Sequence, residues 1–451
     1  MIARARVAAF EILQAVSSER ADLPSAIAHT RETLDDDRDR ALAAEIATGV
    51  LRHRSALDYL IATFAKRHID RLDPEIVTIL RLSGYQLLHL TRVPAAAVVD
   101  DAVDLTRRVK KRSAAGFVNA VLRAVSRSRN DLPLPPRPAQ PSDRDAAVEY
   151  LSTTLSHPRW LAVRWYDRLG FERAERWMQF NNEPARLTLR ANRLKTTPDA
   201  LTTRLDRDDV SLTRGKWAPD ALIVAEGRAL KSEAAADGSF VVQDEASQLV
   251  ALLAGPSPGL RVLDTCASPG GKTTAMAAAM NNRGSIVACD VRTARIGLLI
   301  RAIRTTGATN VHVVQADLER GLPFSATFDC VLVDAPCSGL GTVRRDPDIR
   351  WRRREDDLPS LAAAQREMLR HAADCVDVGG RLIYATCSSE PEENDAVVDA
   401  FLASTSSFSS VDARTITGVP AAVVDERGRL RTTPDQHGLE CFFGAVLRRT
   451  Y

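Results

Sequence analysis

The pattern of apolar and polar positions changes twice along the 451 residues of the chain. Up to about residue 130, apolar residues recur at helical spacing, for example over 41–67 and 74–90, and period-two alternation is scarce. This pattern predicts a compact all-α domain over residues 1–130. The proline-rich stretch 131–145 cannot continue a helix, and we expect it to be an extended linker.

The two periods mix over residues 146–255. A helical pattern that carries Trp160 and Trp165 is followed by short alternating stretches, such as 186–192 and 239–244. This predicts a small α+β middle region. The two tryptophans either stack on RNA or belong to the core, and aromatic residues at helical spacing more often belong to the core.

From residue 256 to 451 the rhythm becomes strand, loop, helix. Apolar strand patterns end near Asp264, Asp290, Asp317, Asp334 and Thr386, and helical patterns separate most of them. Such alternation predicts a Rossmann-like α/β domain with a parallel sheet covered on both faces. Ligands of these sheets bind at the carboxyl ends of the strands.

Composition limits the classes of function. Apolar residues make up 45% of the chain, charged residues 26%, and the net charge is +3, so a nucleic-acid partner would have to bind local basic patches. No apolar run approaches 18 residues, and the first helix pattern is amphipathic, so we expect a soluble cytoplasmic protein with no membrane contact. No heptad pattern or self-pairing face is evident, which favours a monomer.

The seven cysteines form no C-x-x-C pair, and an odd number without an export signal favours free thiols. They form no zinc pattern with the histidines, so we expect no metal site. Four of them lie within or beside apolar runs and are expected to be small core residues: Cys266, Cys289, Cys330 and Cys375.

A glycine turn lies at the first strand–helix junction, in DTCASPGGKTT from Asp264 to Thr274. A P-loop would need glycine where Cys266 stands, and the dinucleotide fingerprint G-x-G-x-x-G is also missing. What remains is a tight turn whose amides, at a helix N-terminus, favour a carboxylate. Aspartates at successive strand ends, Asp290, Asp317 and Asp334, are placed to bind ribose hydroxyls and an adenine edge, although any one of them alone would be read as a helix cap. The series favours S-adenosylmethionine over a nucleotide phosphate.

Two further cysteines follow the fourth and fifth strand patterns, Cys337 in DAPCSG and Cys387 in YATCSS. A thiolate is a nucleophile, and its addition to carbon 6 of a pyrimidine lets carbon 5 attack an electrophilic methyl group. The carbon 5 proton and the thiol must then leave, and an acid such as Asp334 would assist the addition. Two thiols at one site therefore suit two half-reactions on one base.

These motifs, together with PEENDAVV from Pro391 to Val398, resemble the ordered motifs of the Sun-type RNA cytosine-5 methyltransferases. The helical front domain is similar to NusB, and the combination resembles the RsmB branch, which modifies small-subunit ribosomal RNA. The specific motifs span 264–398, and the rest of the chain matches by pattern. The resemblance implies S-adenosylmethionine as cofactor and 16S ribosomal RNA as partner.

The resemblance also implies roles for individual residues. It makes Cys387 the nucleophile, Cys337 the thiol that assists product release, and Asp334 the residue that contacts the cytosine. It assigns cofactor binding to Cys266, Ala267, Ser268, Pro269, Gly270, Gly271, Lys272, Asp290, Asp317 and Asp334.

Two basic segments are candidate RNA contacts. Six arginines lie between Arg344 and Arg354, just after Cys337, and a second basic run spans 107–112. Each of the two basic runs either lies on a solvated surface or binds phosphates. The position of the first run, just after Cys337, favours RNA binding. The residues expected to bind RNA are Arg344, Arg345, Arg350, Arg352, Arg107, Lys110, Lys111 and Arg112.

Three other functions stay open at this point. A methyltransferase of small molecules would need neither thiol, so Cys387→Ala would leave it active. A ribosome-assembly factor with a vestigial catalytic half would bind RNA and transfer no methyl group. A target in transfer RNA or large-subunit RNA would leave the same catalytic motifs.

Overall fold

The computed structural model describes residues 2–324 and 328–451. The chain divides into two units: Met1–Pro184 with Val343–Glu355 form the first, and Ala185–Thr342 with Asp356–Tyr451 form the second. The chain therefore leaves the second unit after residue 342 and rejoins it at residue 356.

The first unit is helical, as the spacing of apolar residues predicts. Its core contains the fully or almost fully buried Ile12, Ile46, Leu80 and Leu122. Residues 131–143, which include most of the predicted linker, form neither helix nor strand. The helices are α1 (Arg4–Ser17), α2 (Leu23–Thr33), α3 (Asp37–Arg52), α4 (Arg54–Ala65), α5 (Pro74–His89), α6 (Ala95–Arg108), α7 (Ala115–Arg127), α8 (Arg144–Glu149), α9 (Arg159–Leu169) and α10 (Phe171–Asn182).

Helices α8–α10 come from the predicted middle region, but they belong to the first unit. Trp165 is fully buried and its ring lies 5.5 Å from that of Trp177, so it is a core residue, whereas Trp160 is partly exposed. The structure thus divides residues 146–255 between the two units. The domain limits given above stay predictions.

The second unit begins with a small antiparallel sheet in the order β2-β3-β1-β4. Its core is formed by Leu189, Leu201, Leu205, Leu222 and Phe240. The elements are β1 (Thr188–Ala191), α11 (Pro198–Asp206), β2 (Ser211–Arg214), β3 (Ala221–Glu226), α12 (Glu233–Ala236) and β4 (Phe240–Val242).

The rest of the second unit is an α/β domain built on a mixed sheet. The elements of the α/β domain are, in chain order, α13 (Glu245–Leu253), β5 (Arg261–Asp264), α14 (Gly271–Ala279), β6 (Ser285–Asp290), α15 (Thr293–Thr306), β7 (Val311–Gln315), β8 (Phe328–Asp334), α17 (Asp357–Ala373), β9 (Val376–Thr386), α18 (Asp395–Ser404), β10 (Phe408–Val411), β11 (Leu430–Arg431), α19 (Pro434–His437) and β12 (Phe443–Arg449). One short helix between β8 and α17, α16 (Ile349–Arg352), belongs to the first unit.

Strand order positions the site. The strands are ordered β10-β12-β9-β8-β5-β6-β7, with β11 beside β12. Strands β5 to β9 are parallel, whereas β10, β11 and β12 pair antiparallel. The chain runs outward from β5 to β7 and then returns to place β8 on the other side of β5. This is a topological switch point, and such points open a crevice at the carboxyl ends of the strands.

Two features of the described residues bear on function class. None of their helices combines the length and the apolar character needed to cross a bilayer. Nor do their histidine, cysteine and carboxylate side chains gather in groups of three or more suited to holding a metal ion.

Candidate active site

The two predicted catalytic thiols meet at the carboxyl ends of adjacent strands. Cys387 directly follows β9, and Cys337 follows β8 by three residues. Their Sγ atoms lie 3.4 Å apart, and both side chains are only partly buried. The structure therefore brings the two sulfur atoms together at one place on the carboxyl edge of the sheet.

The remaining cysteines have different surroundings, and all seven are free thiols. Cys289, Cys330 and Cys375 are buried in the core, as predicted. Cys266 is only partly buried, because it lies in the glycine turn and not within β5. Burial nevertheless raises its pKa, so this thiol stays protonated at neutral pH.

The environment of Cys337 favours a protonated thiol. The hydrogen bond with Cys387, followed by burial, raises the pKa of Cys337 well above its ordinary value. The 3.4 Å contact places the Cys337 thiol where its hydrogen can reach the Cys387 sulfur. The roles of nucleophile and helper stay predictions.

Close backbone approach keeps the two thiol loops together. Gly341 donates its N–H to the carbonyl of Cys387 at 2.9 Å and accepts from the N–H of Cys441 at 3.0 Å. A Cβ atom on Gly341 would lie 2.1 Å from the Cys441 carbonyl oxygen, so only glycine fits there.

The turn between β5 and α14 has the predicted form. Gly270 has φ +105°, and Gly271 begins α14. The Ser268 N–H donates to Asp290 Oδ2 at 3.2 Å, and the Ser268 hydroxyl donates to the Arg295 carbonyl. These bonds connect the turn, which contains Ala267 and the cis-bonded Pro269, to the end of β6 and to the first turn of α15.

Lys272 points from this turn toward the end of β8. Its Nζ lies 2.5 Å from Asp334 Oδ2, and both side chains are largely buried. Burial alone would lower the pKa of Lys272, but the Asp334 carboxylate outweighs it and raises that pKa. Cys387 also contributes to this rise, so the ammonium lies within electrostatic range of that thiol.

Asp264, which ends β5, is a buried acid that sequence reasoning did not assign to the site. One of its oxygens accepts from Thr273 at 2.7 Å, whereas Oδ1 has no hydrogen-bond partner among the described residues. Burial, with a smaller effect of Asp334, raises the pKa of Asp264 to about 7. The signal that could have identified Asp264 from the sequence was its position at the end of the central strand.

The other strand-end aspartates differ from each other. Asp290 is buried and pairs with Arg295 at 3.3 Å. Asp317 caps the short turn after β7, where it accepts from the Glu319 N–H at 3.1 Å, and it pairs with Arg320. Asp317 is therefore a helix cap in this structure. Its contact with a cofactor stays a prediction.

The hydrogen-bonding groups around the turn fit S-adenosylmethionine. Carboxylates of Asp264, Asp290 and Asp334 surround a glycine turn at the N-terminus of α14. Carboxylates accept hydrogen bonds from ribose hydroxyls and from an amine, and the free amides of a helix N-terminus bind a carboxylate. S-adenosylmethionine carries all three groups.

Glu393 joins the two thiol loops and was not assigned a role from the sequence. It is fully buried between β9 and α18, and it binds the residue that follows each thiol, Ser338 and Ser388. In the sequence Glu393 belongs to an acidic run, which is typical of a solvated surface. Its place in the family motif PEENDAVV was the only signal that it has a function.

Two of the expected RNA contacts in the first basic segment are buried. Arg350 is fully buried in the first unit and donates to the carbonyls of Ser156 and Asn181 and to the side chain of Asn182. Burial, with the neighbouring Arg52, lowers its pKa to about 9. Its two Nη atoms donate to these buried acceptors, whereas Nε has no hydrogen-bond partner among the described residues. The contact of Arg350 with RNA stays a prediction.

Arg344 is also largely buried, and its contact with RNA stays a prediction. It is 9% exposed, lies 4.1 Å above the Phe180 ring and donates to the Pro184 carbonyl at 2.9 Å. Arg345 is partly buried, and Arg352 is exposed and pairs with Asp348 at 3.0 Å. The segment is therefore largely structural.

The second basic run lies at the surface of the first unit. Arg107, Lys110 and Arg112 are exposed, and Lys111 is partly buried beside Asp73 at 3.1 Å. Arg107 also pairs with Asp104 within α6. These side chains are available to a polyanion.

Comparison with known proteins identifies the parts of the chain. Residues 251–448 match the family described as 16S rRNA methyltransferase RsmB/F, and residues 3–127 match the NusB family. Residues 157–231 match a ferredoxin-like domain described as RsmF/B-like.

Curated relatives cover almost the whole chain. The chain is 34% identical over 418 residues to the probable ribosomal RNA small subunit methyltransferase B of Bacillus subtilis, covering 92% of this chain and 91% of the relative. It is 34% identical over 428 residues to ribosomal RNA small subunit methyltransferase B of Pseudomonas putida, covering 92% of each chain.

Solved structures give the same result. The crystal structure of PH0851 matches with a TM-score of 0.81 at 26% identity, over 100% of this chain and 99% of that one. A methyltransferase homologue from Pyrococcus horikoshii matches with a TM-score of 0.59 at 28% identity, over 67% of this chain and 99% of that one. Since its relatives extend over nine-tenths of its length, the chain belongs to the RsmB/F family and is an S-adenosylmethionine-dependent RNA methyltransferase.

Proposed function

We propose that the enzyme methylates carbon 5 of a cytidine in 16S ribosomal RNA through a covalent adduct between Cys387 and the base. The observation that carries the proposal is the 3.4 Å separation of the Cys387 and Cys337 sulfur atoms beside the Lys272–Asp334 pair. The relatives named small subunit methyltransferase B favour 16S RNA as the substrate.

The first half-reaction is addition. The Cys387 thiolate forms a bond to carbon 6 of the cytosine, and the electron pair of the 5,6 double bond moves toward carbon 5 and the ring. The Asp334 carboxylate accepts a hydrogen bond from the exocyclic amine, and the Lys272 ammonium donates to the ring face on which negative charge develops. When bound, S-adenosylmethionine supplies the electrophilic methyl group that carbon 5 attacks.

The second half-reaction restores the aromatic base. The carbon 5 proton passes to solvent water, its bonding electrons re-form the 5,6 double bond, and the carbon–sulfur bond to Cys387 breaks. The Cys337 sulfur lies 3.4 Å from the departing sulfur, and its proton stabilises the Cys387 thiolate as that thiolate leaves. Loss of Cys337 would therefore stall the enzyme after methyl transfer.

RNA binding is assigned to exposed basic groups. Arg107, Lys110 and Arg112 at the end of α6 and in the following turn form the proposed contact of the first unit, and Lys111, Arg345 and Arg352 are further candidates. Such contacts bind the phosphate backbone and supply affinity with little sequence selectivity.

Methyl transfer tests the proposal. Labelled S-adenosylmethionine is incubated with small-subunit RNA, both free and in particles, from cells that lack this gene, and the nucleosides are separated. We expect label in 5-methylcytidine with the native enzyme and none with Cys387→Ala. Label in another nucleoside, in transfer RNA alone, or undiminished in Cys387→Ala would overturn the proposed position, substrate or nucleophile respectively.

A further inference from the structure

The buried carboxylate of Glu393 binds to both thiol loops at the residues next to the thiols. Its Oε1 accepts from the backbone N–H of Ser338 at 2.8 Å, and its Oε2 accepts from the hydroxyl of Ser388 at 2.5 Å. Ser338 follows Cys337, and Ser388 follows Cys387. The two serine hydroxyls also lie 3.1 Å apart, so the bridge is compact.

A third donor extends the bridge to the other side of Cys337. The side-chain amide of Gln365, on α17, donates to Glu393 Oε1 at 2.9 Å and to the carbonyl of Pro336 at 3.0 Å. Glu393 thus fixes the residue after Cys337 directly and the residue before it through Gln365.

The Cys387 loop has further anchors that do not use this carboxylate. The side-chain amide of Asn394 donates to the Ser388 carbonyl at 3.0 Å, and the Ser388 N–H donates to the Thr386 hydroxyl at 3.2 Å. The bond from Gly341 to the Cys387 carbonyl ties the far end of the Cys337 loop, and the bond from the Ala335 N–H to the Ala385 carbonyl ties its near end. Between these ends Glu393 binds the loop at Ser338 and, through Gln365, at Pro336. Removal of the carboxylate should therefore displace Cys337, while the Cys387 loop keeps its bonds to Asn394 and Thr386.

The charge makes a purely structural role a poor explanation. Glu393 is fully buried, and the side chains and backbone groups that donate to its carboxylate belong to the neutral residues Ser338, Ser388 and Gln365. Burial of a carboxylate without a cation is unfavourable, and an apolar side chain of the same size would fill the space at lower cost. The carboxylate does offer what the two loops need, which is several acceptor sites on one rigid plane.

We propose that Glu393 is a positioning residue that holds Cys337 within reach of the Cys387–cytosine adduct, and so sets the rate of the second half-reaction. The inference rests on the proposed function, because it presumes that an adduct forms at Cys387. In this assignment the carboxylate touches neither substrate nor cofactor, and it acts through Ser338 and Gln365.

The test separates addition from elimination. Native protein, Cys337→Ala, Glu393→Ala and Glu393→Gln are mixed with S-adenosylmethionine and an unmodified 16S RNA transcript or particle. The adduct is measured by denaturing electrophoresis, and turnover by methyl transfer. For Glu393→Ala we expect kcat to fall about 10-fold or more, KM for both substrates to change less than about 3-fold, and the adduct fraction to rise toward that of Cys337→Ala.

The conservative variant distinguishes geometry from charge. Glutamine keeps an acceptor for the Ser338 N–H, so Glu393→Gln should keep an adduct fraction close to that of the native enzyme. Equal defects in Glu393→Gln and Glu393→Ala would overturn the positioning role. Tyr384→Phe, which removes a 2.6 Å bond to the Glu393 carbonyl and leaves the carboxylate, is the matched control, and we expect no rise in adduct.

A second variant guards against misfolding. Gln365→Ala removes the hydrogen bond to the Pro336 carbonyl and does not expose a charged group. It should also raise the adduct fraction, by a smaller factor than Glu393→Ala does. If native protein and Cys337→Ala form no adduct, the proposed function fails. If they behave as expected but Glu393→Ala and Gln365→Ala accumulate none, only the positioning role fails.

Discussion

Lys272 and Asp334 form an ion pair of 2.5 Å between the turn after β5 and the end of β8. The two residues lie 62 positions apart in the sequence, and the family resemblance assigns both to cofactor binding and Asp334 also to the contact with the base. Their pairing makes one unit of them, since the ammonium and the carboxylate are oriented together beside Cys387. The Phe442 ring, 5.7 Å from the ammonium, forms part of the same wall.

Breaking this pair should damage both stability and catalysis. Lys272→Met leaves the Asp334 carboxylate without its cation, and removal of one partner of a largely buried pair costs about 3 kcal/mol of unfolding free energy. Urea unfolding measures that loss, and methyl transfer should fall below about 1% of native as an order of magnitude. The double variant Lys272→Met/Asp334→Asn should regain part of the stability and stay inactive. A fully active double variant would show that the pair has only a structural role.

Asp264 should give the enzyme a distinctive dependence of stability on pH. Its pKa is raised to about 7 in the folded state from the ordinary 3.8, mainly by burial. Between about pH 4 and pH 7 the folded state therefore holds a proton that the unfolded state has lost, and stability falls as pH rises through this range. The full shift corresponds to about 4 kcal/mol as an upper bound. Asp264→Asn keeps the acceptor for Thr273 and should remove this fall. Urea unfolding at pH 5 and pH 8 measures both proteins, and an unchanged pH dependence in the variant would contradict the assignment.

The two thiols should fail at different stages. Cys387→Ala lacks the nucleophile and should form no covalent RNA adduct. Cys337→Ala should form one that survives denaturing electrophoresis, because the proton beside the departing sulfur is missing. Buried Cys375→Ala, away from the reacting sulfur atoms, is the control and should keep native turnover per folded molecule. An adduct in Cys387→Ala and none in Cys337→Ala would reverse the two roles.

Periodicity predicted the catalytic half well, because a strand end followed by a short polar turn has a strong local signature. The end of β5, the glycine turn and the two thiols after β8 and β9 follow from that signature together with the rule that ligands bind at the carboxyl ends of strands. That β8 and β9 are neighbours brings Cys337 and Cys387 together, as expected.

What could not be predicted depends on burial and on long-range contacts. The arginine run at 344–354 has the composition of a phosphate-binding surface, yet Arg350 is satisfied by acceptors nearly 170 or more positions earlier in the chain, such as Asn182 and Ser156. Glu393 belongs to an acidic run that is typical of solvent-exposed residues, yet it is fully buried. Residue type shows charge, but only the packing of distant segments shows which charges are buried.

Arg190 should support the cofactor turn from the small sheet. It lies on β1, is 4% exposed, and donates to the carbonyl of Gly271 and, at 2.9 Å, to the hydroxyl of Thr274. These groups form the first turn of α14, whose amides face the crevice, so Arg190→Met should raise KM for S-adenosylmethionine about 10-fold with a smaller change for RNA. Arg193→Met, a partly exposed neighbour paired with Asp220 at 3.7 Å, is the control. Equal effects on KM for RNA and for the cofactor would show that Arg190 acts on the fold as a whole.

The two basic segments should respond differently to substitution. Arg350→Met removes a donor shared by several buried acceptors, so it should lower the free energy of unfolding by at least about 3 kcal/mol. The folded fraction of this variant should keep the native salt dependence of RNA binding.

Replacing exposed Arg107, Lys110 and Arg112 by glutamine should change stability by less than about 0.5 kcal/mol each. It should also reduce the slope of log K against log salt by about 2 to 3, since each phosphate contact contributes close to one unit. Filter binding across a salt series measures the slope for both variants. A native slope in the triple variant, or a reduced slope in Arg350→Met, would move the RNA contact back to the segment after Cys337.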